Sequence, residues 1–288
     1  RMPFPPQAFL SDFLGEVEEQ LTYEKEFVLP KSFAKERVLL HFGAVDQVAD
    51  VYVNGIHVGN HAGGYIPFTC DITKAVHRQE KNLLEVKVVD ALSKDYPYGK
   101  QTKKRGGMWY TPVSGIWQSV WLEGVGEYYP VDFRLTPCLE RSSVKVEVYL
   151  NELPKDATIK LTASYKGDVV AVSDGKVLSY RCVQTELFLR HNGRLEGFHM
   201  WWPHDPRLYD LTIETIVGGD AQNKVDTYFG MRKISISGSK ILLNNRVLFQ
   251  RLILDQGYWD DGLLTAPTDD ALRQDVELTI KMGYNGAR

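Results

Sequence analysis

Two β-sandwiches followed by a strand–helix–strand fragment of a parallel sheet is the mainly β fold class this sequence predicts. Three observations predict it. From residue 20 to 235 the chain is almost entirely short apolar or alternating runs cut by turn residues, as in antiparallel sandwiches. Around "EGVGEYYPVDF" the strand pattern breaks and restarts. After "FGMRKISISGSKILLNN" the apolar period changes, and one strand, one amphipathic helix and the start of another strand follow, the order of a βαβ unit.

The elements can be justified in order. "RVLLHFG", "VADVYVNGIHVG", "NLLEVKVVD" and "GIWQSVWLEG" have strand length and strand composition. Asn54-Gly55 between "VYV" and "IHV" is a hairpin signal, because both positions tolerate the positive φ of a type I′ turn. "SSVKVEVYLN", "ATIKLTASY", "CVQTELFLR" and "YDLTIETIV" supply a second strand set, spaced as in an immunoglobulin-like sandwich of about 100 residues. "RVLFQRLIL", Arg246 to Leu254, reads as a buried strand. Thr268 is the expected N-cap of the next helix, Asp269 and Asp270 complement its dipole, and Gly283 stops it. Leu272, Val276 and Ile280 form its apolar stripe, and Tyr284 to Arg288 begins another strand. One βαβ unit has nothing to close against, so the sequence reads as cut there.

Composition narrows the function classes. Across 288 residues, 43% hydrophobic content is enough for real cores, and a net charge of −3 gives no nucleic-acid footprint. No apolar run approaches the roughly 20 residues a membrane span needs. Cys70, Cys138 and Cys182 are odd in number and lack metal-site spacing; they are expected to be buried small hydrophobes. "RMPFPPQAFL" has no signal-peptide core, which leaves the compartment unknown.

Candidate chemistry is sparse. His57 and His61 lie in a hairpin arm with "HAGGY" following, so a turn explains them better than a metal site. "HNGRLEGFHMWWPHDPRLYDL" could be a sugar-stacking platform, but its Trp-Pro and Asp-Pro steps suit a rigid corner of packed aromatics. Lys100, Lys103, Lys104 and Arg105 in "GKQTKKRGG" read as a solvated loop. No phosphate-binding glycine loop, H-E-x-x-H or G-x-S-x-G occurs.

Several stretches together resemble the N-terminal part of glycoside hydrolase family 2, the β-galactosidase, β-glucuronidase and β-mannosidase group. "VADVYVNGIHVGNHAGGYIPFTCDIT" resembles that family's sugar-binding jelly roll, with its V-N-G hairpin, G-G-Y-x-P-F and D-I-T. "YTPVSGIWQSVWLE" resembles its S-G-I-W-Q-x-V-W-L-E strand, and "WWPHDPRLYDLTIE" the W-x-P-x-x-P-x-L-Y-x-L segment closing its immunoglobulin-like domain. "FGMRKISI", "LLNNRVLFQRLILDQGYW" and "MGYNGAR" resemble its passage through the first two strands of a (β/α)8 barrel.

The resemblance implies three parts: a jelly-roll sugar-binding-like domain over 1–129 whose first strand is missing, an immunoglobulin-like sandwich over 130–232, and an incomplete TIM barrel over 233–288. It implies a retaining exo-β-glycosidase, β-galactosidase before β-glucuronidase or β-mannosidase, whose acid and nucleophile lie on later barrel strands. No residue here takes either role. Barrel chemistry sits at the carboxyl ends of the strands, so Asp255, Gln256 and Arg288 are the candidate pocket-wall, substrate-binding positions; for Asp255 a structural loop cap is the equal alternative. Two departures from the family pattern are Leu252 and Asn245, each where glycine is usual. Trp117 and Trp121, four apart, are expected on one side of a strand, in the jelly-roll core or its seam with the barrel. A carbohydrate is the implied partner; no nucleic acid, membrane, cofactor or metal is expected, and a homo-oligomer is compatible. The competing class is a non-catalytic carbohydrate-binding or adhesion module, but such a module should finish at its last sandwich strand.

Overall fold

The computed structural model describes residues 2–31, 33, 37–93, 95–104, 106–152, 154, 156–179, 181–190 and 197–288. Arg105 and the stretch 191–196, both in segments singled out above, lie outside them. The chain divides into two compact units, one formed by 1–124 with 251–288 and the other by 125–250. Among the described residues the only α-helix is Asp269–Lys281; a single 3-10 turn spans Phe9–Ser11.

In the first unit a four-stranded antiparallel sheet runs in the order Gln20–Phe27, Asn82–Val89, Val48–Val53, Ile56–Ala62. A three-stranded sheet orders Phe68–Asp71, Arg37–Phe42, Val120–Val125, and a short ladder joins Val45–Asp46 to Gly115–Ile116. Side chains alternate across each strand, so Val38, Leu40 and Phe42 from one sheet meet Val51, Val53, Val86 and Val88 from the other in one core. The Asn54-Gly55 turn has φ of 52° and 78°, the mirror-image turn that matches strand twist. Asn54 also ties it down: its Nδ2 donates to the Ala75 carbonyl and to Asn82 Oδ1, both at 2.8 Å, and its Oδ1 accepts from Leu83 N.

The second unit holds seven antiparallel strands in the order Pro130–Cys138, Ser143–Leu150, Cys182–Phe188, Asp168–Ser179, Ala157–Tyr165, Tyr209–Val217, Asp220–Phe229. Asp168–Ser179 pairs along its first part with Ala157–Tyr165 and at its end with Cys182–Phe188, so it belongs to both layers of the sandwich. The core alternates inward from both: Val144, Val146 and Val148 against Ile159, Leu161, Leu211 and Ile213. Tyr209 is fully buried, stacks on Phe229 at 5.2 Å and accepts a hydrogen bond from His199 N. The described aromatics of the Trp-Pro segment therefore pack as a corner, with the Arg232 guanidinium 4.8 Å from the Trp201 ring. Asn244 and Asn245, both at positive φ, turn the following hairpin, a conformation asparagine tolerates.

Three expectations need correction. The apolar run 246–254 is not one buried strand: Arg246–Val247 pairs within the hairpin, Leu252–Ile253 pairs elsewhere, and Val247, Phe249 and Leu254 are exposed. Leu248 and Ile253 in the same run are half-buried. Of the cysteines only Cys70 is buried, and burial pushes its thiol up to about 11. Trp117 and Trp121 do not share a strand face, because residues 117–119 interrupt the strands Gly115–Ile116 and Val120–Val125. Trp117 is half-buried beside Phe4, Ala8, Val113 and Leu263, whereas Trp121 is 48% exposed.

Candidate functional site

The helix begins as its sequence dictates. Thr268 Oγ1 accepts from Ala271 N at 3.1 Å, and Asp269 and Asp270 occupy the first turn, where backbone N–H groups lack partners. The helix returns the chain so that Gly286–Ala287 lies parallel to Leu252–Ile253. A Cβ on Gly286 would come within 2.8 Å of Leu252 Cδ2. The larger residue at 252 is thus accommodated by the absence of a side chain at 286.

All three sequence-predicted positions lie at the carboxyl ends of this pair. Arg288 N donates to the Ile253 carbonyl and Asp255 N to the Arg288 carbonyl, each at 2.9 Å. Asp255 and Arg288 are therefore direct neighbours, and with Gln256 both are exposed. Asp255 Oδ1 accepts from Gly257 N at 2.7 Å, the geometry of a loop cap. At the other end Arg251 is fixed by its N donating to Asn285 Oδ1 and its Nε donating to the Gly283 carbonyl, both at 2.8 Å.

From the first parallel strand the chain runs over loops of the sandwich in the same unit. The Tyr258 ring stacks on Tyr110 at 4.9 Å, Leu10 N donates to the Asp261 carbonyl, and Thr265 Oγ1 donates to the Trp117 carbonyl at 2.5 Å. Phe4, Ala8, Val113 and Leu263 bury one another beneath these contacts. This arrangement sets sandwich loops beside the segment that leaves the carboxyl end of the strand.

Next to Trp117 lies a polar cluster that the sequence reading missed. Trp117 Nε1 donates to the Gly64 carbonyl, and Tyr65 meets the indole edge-on at 6.0 Å. Gln101 is buried: its Nε2 donates to the Tyr65 hydroxyl at 2.7 Å and to Asp46 Oδ2 at 3.3 Å, while its Oε1 accepts from Val113 N. Ser114 Oγ donates to Asp90 Oδ2 at 2.6 Å and accepts from Gln7 Nε2. Asp46 is 2% exposed, and its Oδ1 has no hydrogen-bond partner among the described residues. Gly64 is required here, since a Cβ would sit 2.2 Å from that oxygen. Burial and the neighbouring Asp90 charge raise the Asp46 carboxyl to about 7, against a smaller downward pull from Gln101. The only sequence signal was a polar pair, Asp46-Gln47, interrupting an apolar run.

Other candidates resolve into local structure. His57 pairs with Asp50 at 3.0 Å, and His61 bonds the Gly63 carbonyl and stacks on Phe68. Lys100, Lys103 and Lys104 are exposed, Lys103 pairing with Glu19.

Residues 12–116 match the family model described as glycosyl hydrolase 2 galactose-binding domain-like, and residues 130–232 match glycosyl hydrolases family 2. A β-galactosidase of Thermoanaerobacter pseudethanolicus is 26% identical over 78% of this chain and 30% of its own length. A β-glucuronidase of Streptococcus agalactiae is 24% identical over 96% of this chain and 45% of its own. The chain thus spans less than half the length of these curated relatives. The solved β-glucuronidase from Ruminococcus gnavus in complex with a C6-substituted uronic isofagomine superposes with a TM-score of 0.81 at 22% identity, covering 100% of this chain and 49% of that one. At that identity the likeness establishes the fold.

Proposed function

The chain belongs to glycoside hydrolase family 2, whose galactose-binding-like and immunoglobulin-like sandwiches it carries, and from that premise we propose that it forms the N-terminal part of a retaining exo-β-glycosidase. The observation that supports this reading most directly is the parallel pair Leu252–Ile253 and Gly286–Ala287 with its connecting helix. We read it as the opening unit of a (β/α)8 barrel begun within 233–288, after a sugar-binding-like domain over 1–129 and an immunoglobulin-like sandwich over 130–232. In such a barrel, chemistry belongs at the carboxyl ends of the strands, where Asp255, Gln256 and Arg288 line the substrate pocket. The acid and nucleophile, about 5 to 5.5 Å apart in a retaining enzyme, are supplied by later strands. β-Galactosides are the first substrate reading. β-Glucuronides are the second, supported by relatives of that name that match almost the whole chain; β-mannosides are the remaining class of the group.

The test is an assay of the protein carrying a complete barrel against nitrophenyl β-galactoside, β-glucuronide and β-mannoside. The expected result is release of nitrophenol from one of them with retained anomeric configuration. Arg288→Ala should then lower kcat/KM by about 10-fold or more, since a misplaced pocket group costs that much. An unchanged kcat/KM would remove Arg288 from the pocket.

A further inference from the structure

Asp46 is almost fully buried, and the glycosidase reading makes no use of it. Its Oδ1 has no hydrogen-bond partner among the described residues, and the Gly64 backbone closes over that oxygen without room for a Cβ. The turn is held to the same strand end, since Gly63 N donates to the Gln47 carbonyl at 2.8 Å. Gln101 ties it to two further limbs of the unit. Its Nε2 donates to Asp46 and to the Tyr65 hydroxyl, and its Oε1 accepts from Val113 N. The same hydroxyl rests against Gly99, where a Cβ would lie 2.9 Å from it. The limbs 99–102 and 110–113 are themselves joined: Tyr110 N donates to the Lys100 carbonyl at 2.8 Å, and Thr102 N to the Tyr110 carbonyl at 3.1 Å. Tyr110 then stacks on Tyr258, just beyond Gln256. Direct contacts therefore run from the Asp46 carboxyl to the segment that leaves the candidate pocket wall.

We propose that Asp46 is a protonation-controlled positioning residue, whose neutral carboxyl keeps the 63–65 turn clasped to the limbs 99–102 and 110–113. Loss of its proton to solvent opens the clasp and releases Tyr110 from its fixed place against Tyr258. An ionised Asp46 would be a charge shut away from water with one long hydrogen bond, from Gln101 at 3.3 Å. Asp90, whose oxygens already accept from Leu92 N and Ser114 Oγ, faces it as a like charge. Opening admits water to the carboxylate. The phenols packed here are Tyr65 and Tyr23, the latter against Gly115, which pairs with Asp46. Burial raises both, Tyr23 to about 12, so neither charges before Asp46. Lys100, Lys103 and Lys104 on the neighbouring limb are exposed. His61, bonded to the Gly63 carbonyl, is the competing group near neutrality among the described residues. Because the Asp46 carboxyl is raised from 3.8 to about 7, the closed clasp is favoured at low pH, weakens as pH rises through that interval and levels off above it. Its effect on a pocket rests on the glycosidase reading; the opening itself does not.

The experiment measures amide hydrogen exchange in the 288-residue chain from about pH 5 to about pH 8, with no sugar present, as protection factors for Thr102, Tyr110 and Val113. These should fall by about tenfold per pH unit up to about pH 7 and then level off. At every pH they should lie below those of Asn82–Val89, the mark of a local opening. Asp46→Asn, which keeps an acceptor for Gln101 and carries no charge, should hold the three amides at a constant protection across the range. In the unaltered chain the Asp46 carboxyl carbon resonance should titrate together with the amides. Protection independent of pH in the unaltered chain, or an equal decline in Asp46→Asn, would overturn the proposal; the latter would assign the transition to His61. So would protection equal to that of Asn82–Val89, which would mean that these amides exchange by unfolding of the whole unit, or a carboxyl titration near the ordinary aspartate value.

Discussion

Asp46 is where residue-level physics makes its clearest demand. Its folded-state pKa of about 7 lies above its ordinary value of 3.8, so across that interval the native state holds a proton that the unfolded state has released. Its contribution to stability is therefore full below pH 3.8 and is lost as pH rises towards about 7. Each pH unit within that window costs up to about 1.4 kcal/mol. Asp46→Asn removes the titration and should flatten the decline in denaturant midpoint between about pH 5 and 8, leaving the variant more stable at the upper end. A decline as steep in the variant as in the parent would assign the pH dependence to other groups. The two tryptophans separate in the same way. Trp117→Ala, which removes a ring from the Phe4, Val113 and Leu263 cluster, should cost about 2 to 4 kcal/mol. Trp121→Ala should cost less than about 1 kcal/mol, and equilibrium unfolding of the pair checks both. Residues of this kind were the least legible in the sequence. Nothing local distinguishes Asp46 from a turn aspartate, because the groups that bury it, Gln101 and Gly64, arrive from distant loops. Spacing could not separate Trp117 from Trp121 either, since the strand break between them carries no proline and only a Gln-Ser pair.

Elements with local causes were read correctly. The Asn54-Gly55 hairpin and the Thr268-capped helix follow from residues within a few positions of each other, so the sequence contains their whole explanation. Asn54→Ala loses three hydrogen bonds and strains a φ of 52°. The expected cost is about 2 to 3 kcal/mol, with Asn54→Gly recovering only the conformational part. Thermal melts of both variants provide the check, and equal losses would show that the side-chain bonds dominate. The run 246–254 was misread because apolarity predicts burial only where something exists to bury it. In the helix Leu272, Val276, Leu278 and Ile280 are each more than half exposed, and no helix residue is buried. A helix of 13 residues without tertiary cover is marginal in water. Native-state hydrogen exchange should therefore show Asp269–Lys281 exchanging well before Asn82–Val89 or Tyr209–Val217. Protection of the helix equal to those core strands would mean that its apolar face is covered.

For the whole molecule, sequence periodicity was sufficient to give two sandwiches, because strand alternation and turn spacing repeat often enough to be unambiguous. It could not give a reaction centre. Asp255, Gln256 and Arg288 are named from the family resemblance, and the parallel pairing that sets Asp255 beside Arg288 spans more than thirty residues. The central claim is the proposal that these 288 residues supply scaffolding of a family 2 glycosidase and a stretch of its pocket wall, but no reacting carboxylate. Glycoside cleavage needs an acid and a nucleophile positioned across one bond in a site that excludes water, and a single parallel pair of strands cannot enclose one. The most direct test is an assay of the purified 288-residue chain against nitrophenyl β-galactoside, β-glucuronide and β-mannoside. The account predicts no turnover above the uncatalysed rate for any of the three; turnover at constant specific activity through successive purification steps would contradict it.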